Sequence, residues 1–158
     1  MRRLGAGDRN AKLLWFYVLG QHYQRLGRHD FAALLFYRTI EGCLTERLTQ
    51  RYPRLSPDRF EWSSLDDPPG TRQRYAALNR RLGGQGGAPS RLTLTSSALV
   101  LAAENDELAR RCGLADVPSL SRLRDLARMR NTSVLAHGFQ TVTGHQAKAL
   151  HQQALDLL

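Results

Sequence analysis

One apolar stripe constrains the fold of this chain more than any other feature. Its four members follow one another at steps of four residues: Phe36, Ile40, Leu44 and Leu48. This spacing places side chains on one face of an α-helix. Asp30 is a suitable N-cap for such a helix, and Pro53 cannot continue it because proline lacks a backbone N–H. The pattern therefore predicts a long amphipathic helix that ends near Tyr52.

The rest of the chain predicts more helices and no sheet. Apolar periodicity between glycine, proline and capping residues places the other helices at about 8–26, 71–82, 95–113, 119–138 and 143–158. The expected caps are Ser119 or Ser121 for the fifth helix and Thr143 for the last, and Gly138 suits the left-handed position that ends a helix. The prediction is an all-α bundle of about five to six helices.

Two segments between these helices carry the turn-forming residues. Residues 53–70 contain four prolines and are expected to cross irregularly between helices, whereas residues 83–89 are rich in glycine and are expected to form a flexible loop. The glycine-rich loop is too short to imply separate domains. We therefore expect one domain that covers residues 1–158.

The charge balance favours an anionic partner. The chain has 23 basic and 14 acidic residues, a net charge of +9, and every basic residue except Lys12 and Lys148 is arginine. Arginine grips phosphate through a planar fork of donors, which suits a nucleic-acid partner. A GC-rich genome also favours arginine over lysine, and composition alone does not separate the two explanations.

Several other classes of protein are disfavoured. Cys43 and Cys112 are too few for a disulfide framework and lack the spacing of zinc ligands, which fits a reducing cytoplasm. The first residues lack the apolar core of a signal peptide, and no apolar run is long enough to span a membrane. The histidines form no triad with carboxylates at a recognisable spacing. We expect a cytoplasmic protein with no metal and no cofactor.

The segment at residues 130–138 carries the clearest functional signal. It reads Arg-Asn-Thr-Ser-Val-Leu-Ala-His-Gly, with Arg130 and His137 seven positions apart on one predicted helix. Seven residues make almost two helical turns, so the two side chains leave the same face, about 10 Å apart along the axis. An arginine and an imidazole at this spacing can converge on a small anion such as a phosphate.

This motif resembles that of the HEPN ribonucleases, which carry an Arg, four to six intervening residues and a His, often with a polar residue after the Arg. The wording Arg-Asn-x-Ser-x-Leu-Ala-His-Gly is closest to the HEPN domains of type III CRISPR-associated effectors. Residues 30–41, running on to 46–48, resemble the early helix of the same domains. The two segments bracket about two thirds of the chain.

The resemblance implies cleavage of single-stranded RNA without a metal ion, with the ribose 2′-hydroxyl as nucleophile. His137 would move a proton, and Arg130 would offset charge that develops on the scissile phosphate. Asn131 and Ser133 are expected to support the site. The products would be a 2′,3′-cyclic phosphate and a 5′-hydroxyl. Because HEPN nucleases pair two motifs across a two-fold axis, the resemblance also implies a homodimer.

The same helix carries the residues expected to bind the RNA backbone, which are Arg122, Arg124 and Arg128. Alternatively, these three arginines only keep an exposed edge of the helix in contact with water. For the motif itself, Arg130 pairing with a buried acid such as Glu41 is the structural alternative.

Two questions about the whole protein stay open. A non-catalytic basic adaptor for RNA or protein, either an inert HEPN fold or a tetratricopeptide-like module, is the alternative function. The first two helices echo a tetratricopeptide repeat at Trp15, Leu19, Gly20, Tyr23 and Ala32, but no second copy follows. The related CRISPR effectors also carry a Rossmann-like sensory domain that binds cyclic oligoadenylate. We expect the chain to be either a stand-alone nuclease or part of an effector whose sensory domain or protein lies outside it.

Overall fold

The computed structural model of the chain describes residues 6–132 and 141–158. These residues form seven α-helices and one short 3-10 helix at Trp62–Ser64, and no β-strand occurs among them. The helices are α1 (Ala6–Arg25), α2 (His29–Arg51), α3 (Pro68–Arg81), α4 (Leu94–Ala103), α5 (Glu107–Arg111), α6 (Val117–Thr132) and α7 (Gly144–Leu157). The prediction of an all-α fold is confirmed. No helix in these two ranges has the length and apolarity that a membrane span requires.

The helices cluster into two units. The first contains residues 1–43 and 126–158, and the second contains residues 44–125. The helices α2 and α6 each contribute residues to both units. The expectation of a single domain over the whole chain stays a prediction.

In the first unit, α1 packs against α7, and the ring of Phe36 on α2 is fully buried. The centre of this ring lies 5.9 Å from that of Tyr17 and 4.9 Å from that of His151. Gly20 on α1 is required here because a Cβ at this position would lie 2.7 Å from Cε1 of Phe36. The backbone of α1 therefore lies directly against the phenylalanine ring.

In the second unit, α3 packs against α4. Two acidic residues that follow α4, Glu104 and Asp106, accept hydrogen bonds from α3 and from the end of α2 and the residue after it. Asp106, whose side chain is 1% exposed, accepts hydrogen bonds from Nη2 of Arg47 at 3.0 Å and Nη1 of Arg51 at 3.3 Å. Glu104 accepts hydrogen bonds from the hydroxyls of Tyr52 and Thr71. Burial alone would raise the pKa of Asp106, but the hydrogen bonds and charge of Arg47, together with the bonds from the amides of Leu108 and Ala109, outweigh burial, and the pKa is lowered.

The predicted fourth helix is two helices in the structure, and the prediction of one helix up to Gly113 is wrong. Asn105 has a φ of 53°, a left-handed conformation that interrupts helical hydrogen bonding. Asp106 then caps α5 by accepting hydrogen bonds from the amides of Leu108 at 2.8 Å and Ala109 at 3.4 Å. This break accounts for the seven helices of the described ranges, against the five to six expected.

The predicted start of the fifth helix also differs from the structure. This helix, α6, begins at Val117, before Ser119 or Ser121. Oδ1 of Asp116 accepts a hydrogen bond from the amide of Ser119 at 2.7 Å, so Asp116 caps the helix and Ser119 lies within its first turn. The cap predicted at either serine is therefore wrong.

Of the other two predicted caps, Thr143 is confirmed and Asp30 is wrong. Thr143 caps α7 in a reciprocal arrangement with Gln146, as expected. Asp30 is not the N-cap of α2, because the helix already begins at His29. Instead, Oδ1 of Asp30 accepts a hydrogen bond from the amide of Val142 at 3.0 Å, which ties the chain before α7 to the start of α2.

The predicted irregular segment is shorter than expected. Asp67 caps α3, and Pro68 and Pro69 occupy its first turn, where the missing N–H costs nothing. After α3, Gly83 and Gly86 adopt positive φ values of 80° and 73°. The loop at 83–89 therefore depends on glycine at two positions where other residues would be strained.

Candidate functional site

The helix α6 places the first half of the Arg–His motif at the end of a buried stripe. Leu120, Leu123 and Ala127 on this helix are buried at spacings of three and four residues. Arg130 follows Ala127 by three residues and therefore continues the same face. Its side chain is half-buried, whereas Asn131 beside it is exposed. A permanently charged group thus stands where a core-facing stripe meets the surface.

Tyr37 on α2 provides a surface for the Arg130 guanidinium. The central carbon of the guanidinium, Cζ, lies 4.8 Å from the centre of the Tyr37 ring, which is the arrangement of a cation–π contact. Tyr37 is 6% exposed, so the ring itself is held by the packing of the first unit. The contact joins the motif helix to the second of the two segments that resemble HEPN domains.

The surroundings of Tyr37 are charged. Its hydroxyl donates a hydrogen bond to Oε1 of Glu41 at 3.4 Å, and Nη1 of Arg38 donates to Oε2 of Glu41 at 2.8 Å. Burial raises the pKa of Tyr37, the charge of Glu41 raises it further, and the charges of Arg130 and Arg38 act in the opposite direction. The phenol is therefore neutral near pH 7, and among the described residues that affect its pKa, two are arginines and one is a carboxylate.

Asn131 contacts Arg130 directly. Oδ1 of Asn131 accepts a hydrogen bond from Nη1 of Arg130 at 3.0 Å. Together with the Tyr37 ring, this contact limits the orientations that the guanidinium can adopt. A fixed guanidinium loses less rotational freedom when it binds an anion than a mobile one does.

The second half of the motif lies outside the described residues. His137, Ser133 and Gly138 belong to residues 133–140, so their predicted positions and roles stay predictions. The described chain before and after this segment contacts the same helix: Arg130 rests on Tyr37, and Val142 donates to Asp30 seven residues earlier on α2. Arg130 and Val142, which stand on either side of the segment, therefore both lie beside α2.

The three arginines predicted to bind RNA occupy different environments on α6. Arg122 and Arg128 are exposed, whereas Arg124 is half-buried, and its Nε is buried without an acceptor among the described residues. Arg128 and Arg130 are two positions apart, so they leave the helix in directions that differ by roughly 200°. Whether these three arginines bind an RNA backbone stays a prediction.

The sequence did not single out Tyr37 as a partner of Arg130. The available signal was that Tyr37 lies in the segment at 30–41 and precedes Glu41 by one helical turn. As for metal ions, no group of three or more His, Cys, Asp or Glu side chains in residues 6–132 and 141–158 is placed to bind one.

A family model described as the Csm6 HEPN domain matches residues 20–158 of the chain. The chain belongs to this family. The match includes the contact between Tyr37 and Arg130 and extends through the segment that contains His137. A comparison with curated proteins gave no match to the chain.

Membership of the Csm6 HEPN family favours a HEPN fold over a tetratricopeptide-like module. The match begins at residue 20, so it covers all of α2 and the last residues of α1, and it includes Gly20, Tyr23 and Ala32 of the pattern that echoes a tetratricopeptide repeat. HEPN domains are generally ribonucleases, and those of the Csm6 type are CRISPR-associated.

Proposed function

We propose that the chain is a metal-independent endoribonuclease that cleaves single-stranded RNA in CRISPR-linked or other antiviral defence. The contact between Arg130 and Tyr37 carries the proposal, because it holds a permanent positive charge at the start of the motif in a half-buried position. A guanidinium held in place in this way stabilises negative charge with little reorganisation. Membership of the HEPN family supports the reaction class.

The proposed mechanism uses two side chains of the motif. Arg130 binds the scissile phosphate and offsets the charge that develops as the 2′-hydroxyl attacks phosphorus. His137 moves a proton, either from the 2′-hydroxyl or to the leaving 5′-oxygen. The bond from phosphorus to the 5′-oxygen breaks, which leaves a 2′,3′-cyclic phosphate and a 5′-hydroxyl. Asn131 orients Arg130, and Ser133 orients the phosphate or the imidazole.

One histidine does not easily perform both proton transfers, so we propose that the working enzyme is a homodimer. A two-fold axis beside α6 would bring a second Arg130 and a second His137 to one composite cleft. Arg122, Arg124 and Arg128 would hold the RNA backbone, which predicts binding that weakens steeply with salt. A sensory domain or protein outside this chain is the proposed source of activation.

Three variants test the catalytic roles. Arg130→Met keeps a long side chain against Tyr37 but removes the charge, His137→Ala removes the proposed proton carrier, and His145→Ala removes a second histidine as a control. We expect the first two to lose cleavage of single-stranded RNA while their melting curves stay cooperative, and we expect the control to cleave normally. Full activity of Arg130→Met or His137→Ala contradicts the proposal.

Mixing the two inactive variants tests the composite site. A heterodimer of Arg130→Met and His137→Ala chains keeps one intact Arg and one intact His, so we expect it to recover part of the activity. A strictly monomeric protein that cleaves at the full rate would contradict the dimer.

A non-catalytic role is the second candidate, and the burial of Tyr37 favours it. Arg130 covers a ring that belongs to the packed interior of the first unit, so the contact contributes to stability whether or not the chain is an enzyme. A basic adaptor would bind RNA or protein without turnover. It would also lose much of its stability in Arg130→Ala and keep its binding in His137→Ala.

A further inference from the structure

A second basic site lies on α3, within the second unit. A cleft of about 540 Å³ lies along α3 and is also lined by Trp62 of the 3-10 helix and by Gly86 of the loop that follows α3. Its walls combine rings and apolar carbon with three long polar side chains: Trp62, Pro68, Pro69, Ala76, Arg72, Gln73 and Arg80. Pockets that bind small organic ligands commonly measure roughly 300–1,000 Å³ and have this mixture of walls.

The aromatic wall of the cleft is held in place. The centre of the Trp62 ring lies 4.9 Å from that of Phe60, with an angle of 85° between the ring planes. It lies 5.2 Å from the centre of the Tyr75 ring, with an angle of 71° between the planes. Both are edge-to-face arrangements, which favour a fixed relative orientation. The indole Nε1 is buried and has no acceptor among the described residues, so aromatic packing positions the ring.

The cationic wall is available to a ligand. The sequence of α3 contains four arginines and no acidic residue. Arg74 is already occupied by the side chain of Asp67 and the carbonyl of Ala103. Arg72 and Arg80 are exposed, and no acidic group of the described chain forms an ion pair with either. They lie eight residues apart, about two helical turns, with Ala76 midway between them.

The loop after α3 closes one end of the cleft against Arg80. Gly86 has a φ of 73°, and a Cβ at this position would lie 2.9 Å from Nε of Arg80. The absence of a side chain therefore lets the loop backbone approach the guanidinium closely. This arrangement restricts Arg80 at the mouth of the cleft.

We propose that this cleft binds one unstacked nucleotide of single-stranded RNA. The base packs against Trp62 and the two proline rings, and Arg72 and Arg80 bind the flanking phosphates. Bases in single strands are commonly recognised by aromatic rings and guanidinium planes, together with a basic path for the backbone. An acidic peptide would satisfy the arginines but would leave the aromatic wall unused. The choice of RNA rests on the proposed ribonuclease function, although binding in the cleft does not require the Arg–His motif.

Binding of an RNA that cannot be cleaved tests the cleft separately from catalysis. The probe is a dye-labelled 2′-O-methyl oligonucleotide, which lacks the 2′-hydroxyl nucleophile, and binding is followed by fluorescence anisotropy at several salt concentrations. The test variant is Arg72→Gln/Arg80→Gln. The control, Arg81→Gln/Arg111→Gln, removes the same charge from exposed positions of the second unit that do not line the cleft.

We expect the cleft variant to bind roughly fivefold more weakly or worse. Because each phosphate contact to a single strand contributes about 0.7 to the slope of log K against log salt, two lost contacts should reduce that slope by about 1.4. The control variant should keep the slope of the wild type. Equal affinities and equal slopes in the two variants overturn the proposal.

Tryptophan fluorescence supplies a measurement that leaves the cleft intact. The chain has two tryptophans, and Trp15 is 58% exposed on α1, so Trp15→Phe leaves Trp62 as the single reporter. We expect the oligonucleotide to quench or shift the emission of Trp62 at saturation. We expect adenosine monophosphate, which offers one base and one phosphate, to do so only at much higher concentration. Unchanged emission with saturating oligonucleotide overturns the proposal, and equally tight binding of the mononucleotide assigns the cleft to free nucleotides instead.

The two proposals fail separately. If the protein binds the oligonucleotide through the cleft but never cleaves RNA, the proposal for the cleft stands and the proposal of a ribonuclease is contradicted. If the protein cleaves RNA but its Arg72→Gln/Arg80→Gln variant binds the oligonucleotide like the control, the proposal of a ribonuclease stands and the proposal for the cleft is contradicted.

Discussion

The guanidinium of Arg130 rests on the ring of Tyr37, with 4.8 Å between Cζ and the ring centre. The two residues are far apart in sequence and belong to α6 and α2, respectively. The contact connects the two parts of the chain that resemble HEPN domains, and it lies within the first unit. It gives the start of the Arg–His motif a fixed partner.

Substitution of Tyr37 tests whether this contact positions Arg130 for catalysis. Tyr37→Phe keeps the ring and removes only the long hydrogen bond to Glu41, so we expect kcat/KM for RNA cleavage to stay within about twofold. Tyr37→Leu removes the aromatic face. A cation–π contact is worth roughly 0.5–2 kcal/mol, so kcat/KM should fall about 2- to 30-fold.

Stability measured in parallel separates positioning from unfolding. The cleavage assay is run well below the melting temperature of each variant, so that a packing loss in Tyr37→Leu does not reduce the folded fraction. Equal kcat/KM for Tyr37→Leu and Tyr37→Phe would show that the ring does not position the arginine.

Asp106→Ala is expected to destabilise the second unit strongly. The change removes the N-cap of α5, worth about 1 kcal/mol, and the charge-assisted bonds from Arg47 and Arg51. Because both arginines are partly exposed and regain water, we expect a total loss of about 2–3 kcal/mol in the free energy of unfolding. Chemical denaturation measures it. The matched control is Asp116→Ala, which removes an exposed N-cap without ion pairs, and a loss as large in the control would contradict the role given to the ion pairs.

Gly20→Ala tests the close approach of α1 to Phe36. Alanine favours a helix over glycine by about 1 kcal/mol, which by itself would stabilise α1. The added Cβ would lie 2.7 Å from a fully buried ring, however, and overpacking of this kind costs about 1–3 kcal/mol. We expect a net loss of stability in thermal denaturation. Gly87→Ala, whose Cβ would meet open space, should be nearly neutral, and a stabilised Gly20→Ala protein would show that the contact is looser than the structure has it.

His151 makes the stability of the first unit depend on pH. Its Nε2 lies 2.9 Å from the Tyr17 hydroxyl, its ring stacks on Tyr17, and burial lowers its pKa below the ordinary value of 6.5. The unfolded chain therefore binds a proton more readily than the folded chain does. The stabilisation is complete above about pH 6.5 and declines as the pH falls from there through the folded pKa.

The variant His151→Gln should lose less stability than the wild type between about pH 7 and about pH 5. Denaturation midpoints at several pH values measure the difference. His145→Gln, on an exposed position of the same helix, should retain the wild-type pH dependence. Identical pH dependence in His151→Gln and the wild type would contradict the account.

The sequence predicted those features that depend on neighbouring residues. The stripe from Phe36 to Leu48 and the proline at position 53 predicted α2 nearly to the residue. Thr143 was predicted as a cap, and its partner Gln146 is only three positions away. The break at Asn105 was missed, because the apolar periodicity of the predicted helix continues across Asn105 and Asp106. These two residue types favour a left-handed turn and a helix N-cap, respectively.

Features that depend on distant parts of the chain were beyond the sequence pattern. Asp30 has the right residue type for a cap, but its partner is the amide of Val142. The place of Tyr37 beneath Arg130 arises from packing between α2 and α6, which are far apart in sequence. The cleft on α3 is formed by residues 62–86, but its shape depends on how the 3-10 helix and the loop after α3 pack against that helix. Only the run of arginines in α3, without an acid among them, hinted at the cleft.

The most direct test of the central proposal is to analyse the products of RNA cleavage in the presence of EDTA. A labelled single-stranded RNA is incubated with the wild type, Arg130→Ala and His137→Ala, and the new ends are identified. The proposal predicts a 2′,3′-cyclic phosphate and a 5′-hydroxyl from the wild type in EDTA, and a loss of at least about 100-fold in each variant. A requirement for a divalent ion, 3′-hydroxyl products, or full activity of either variant would contradict it.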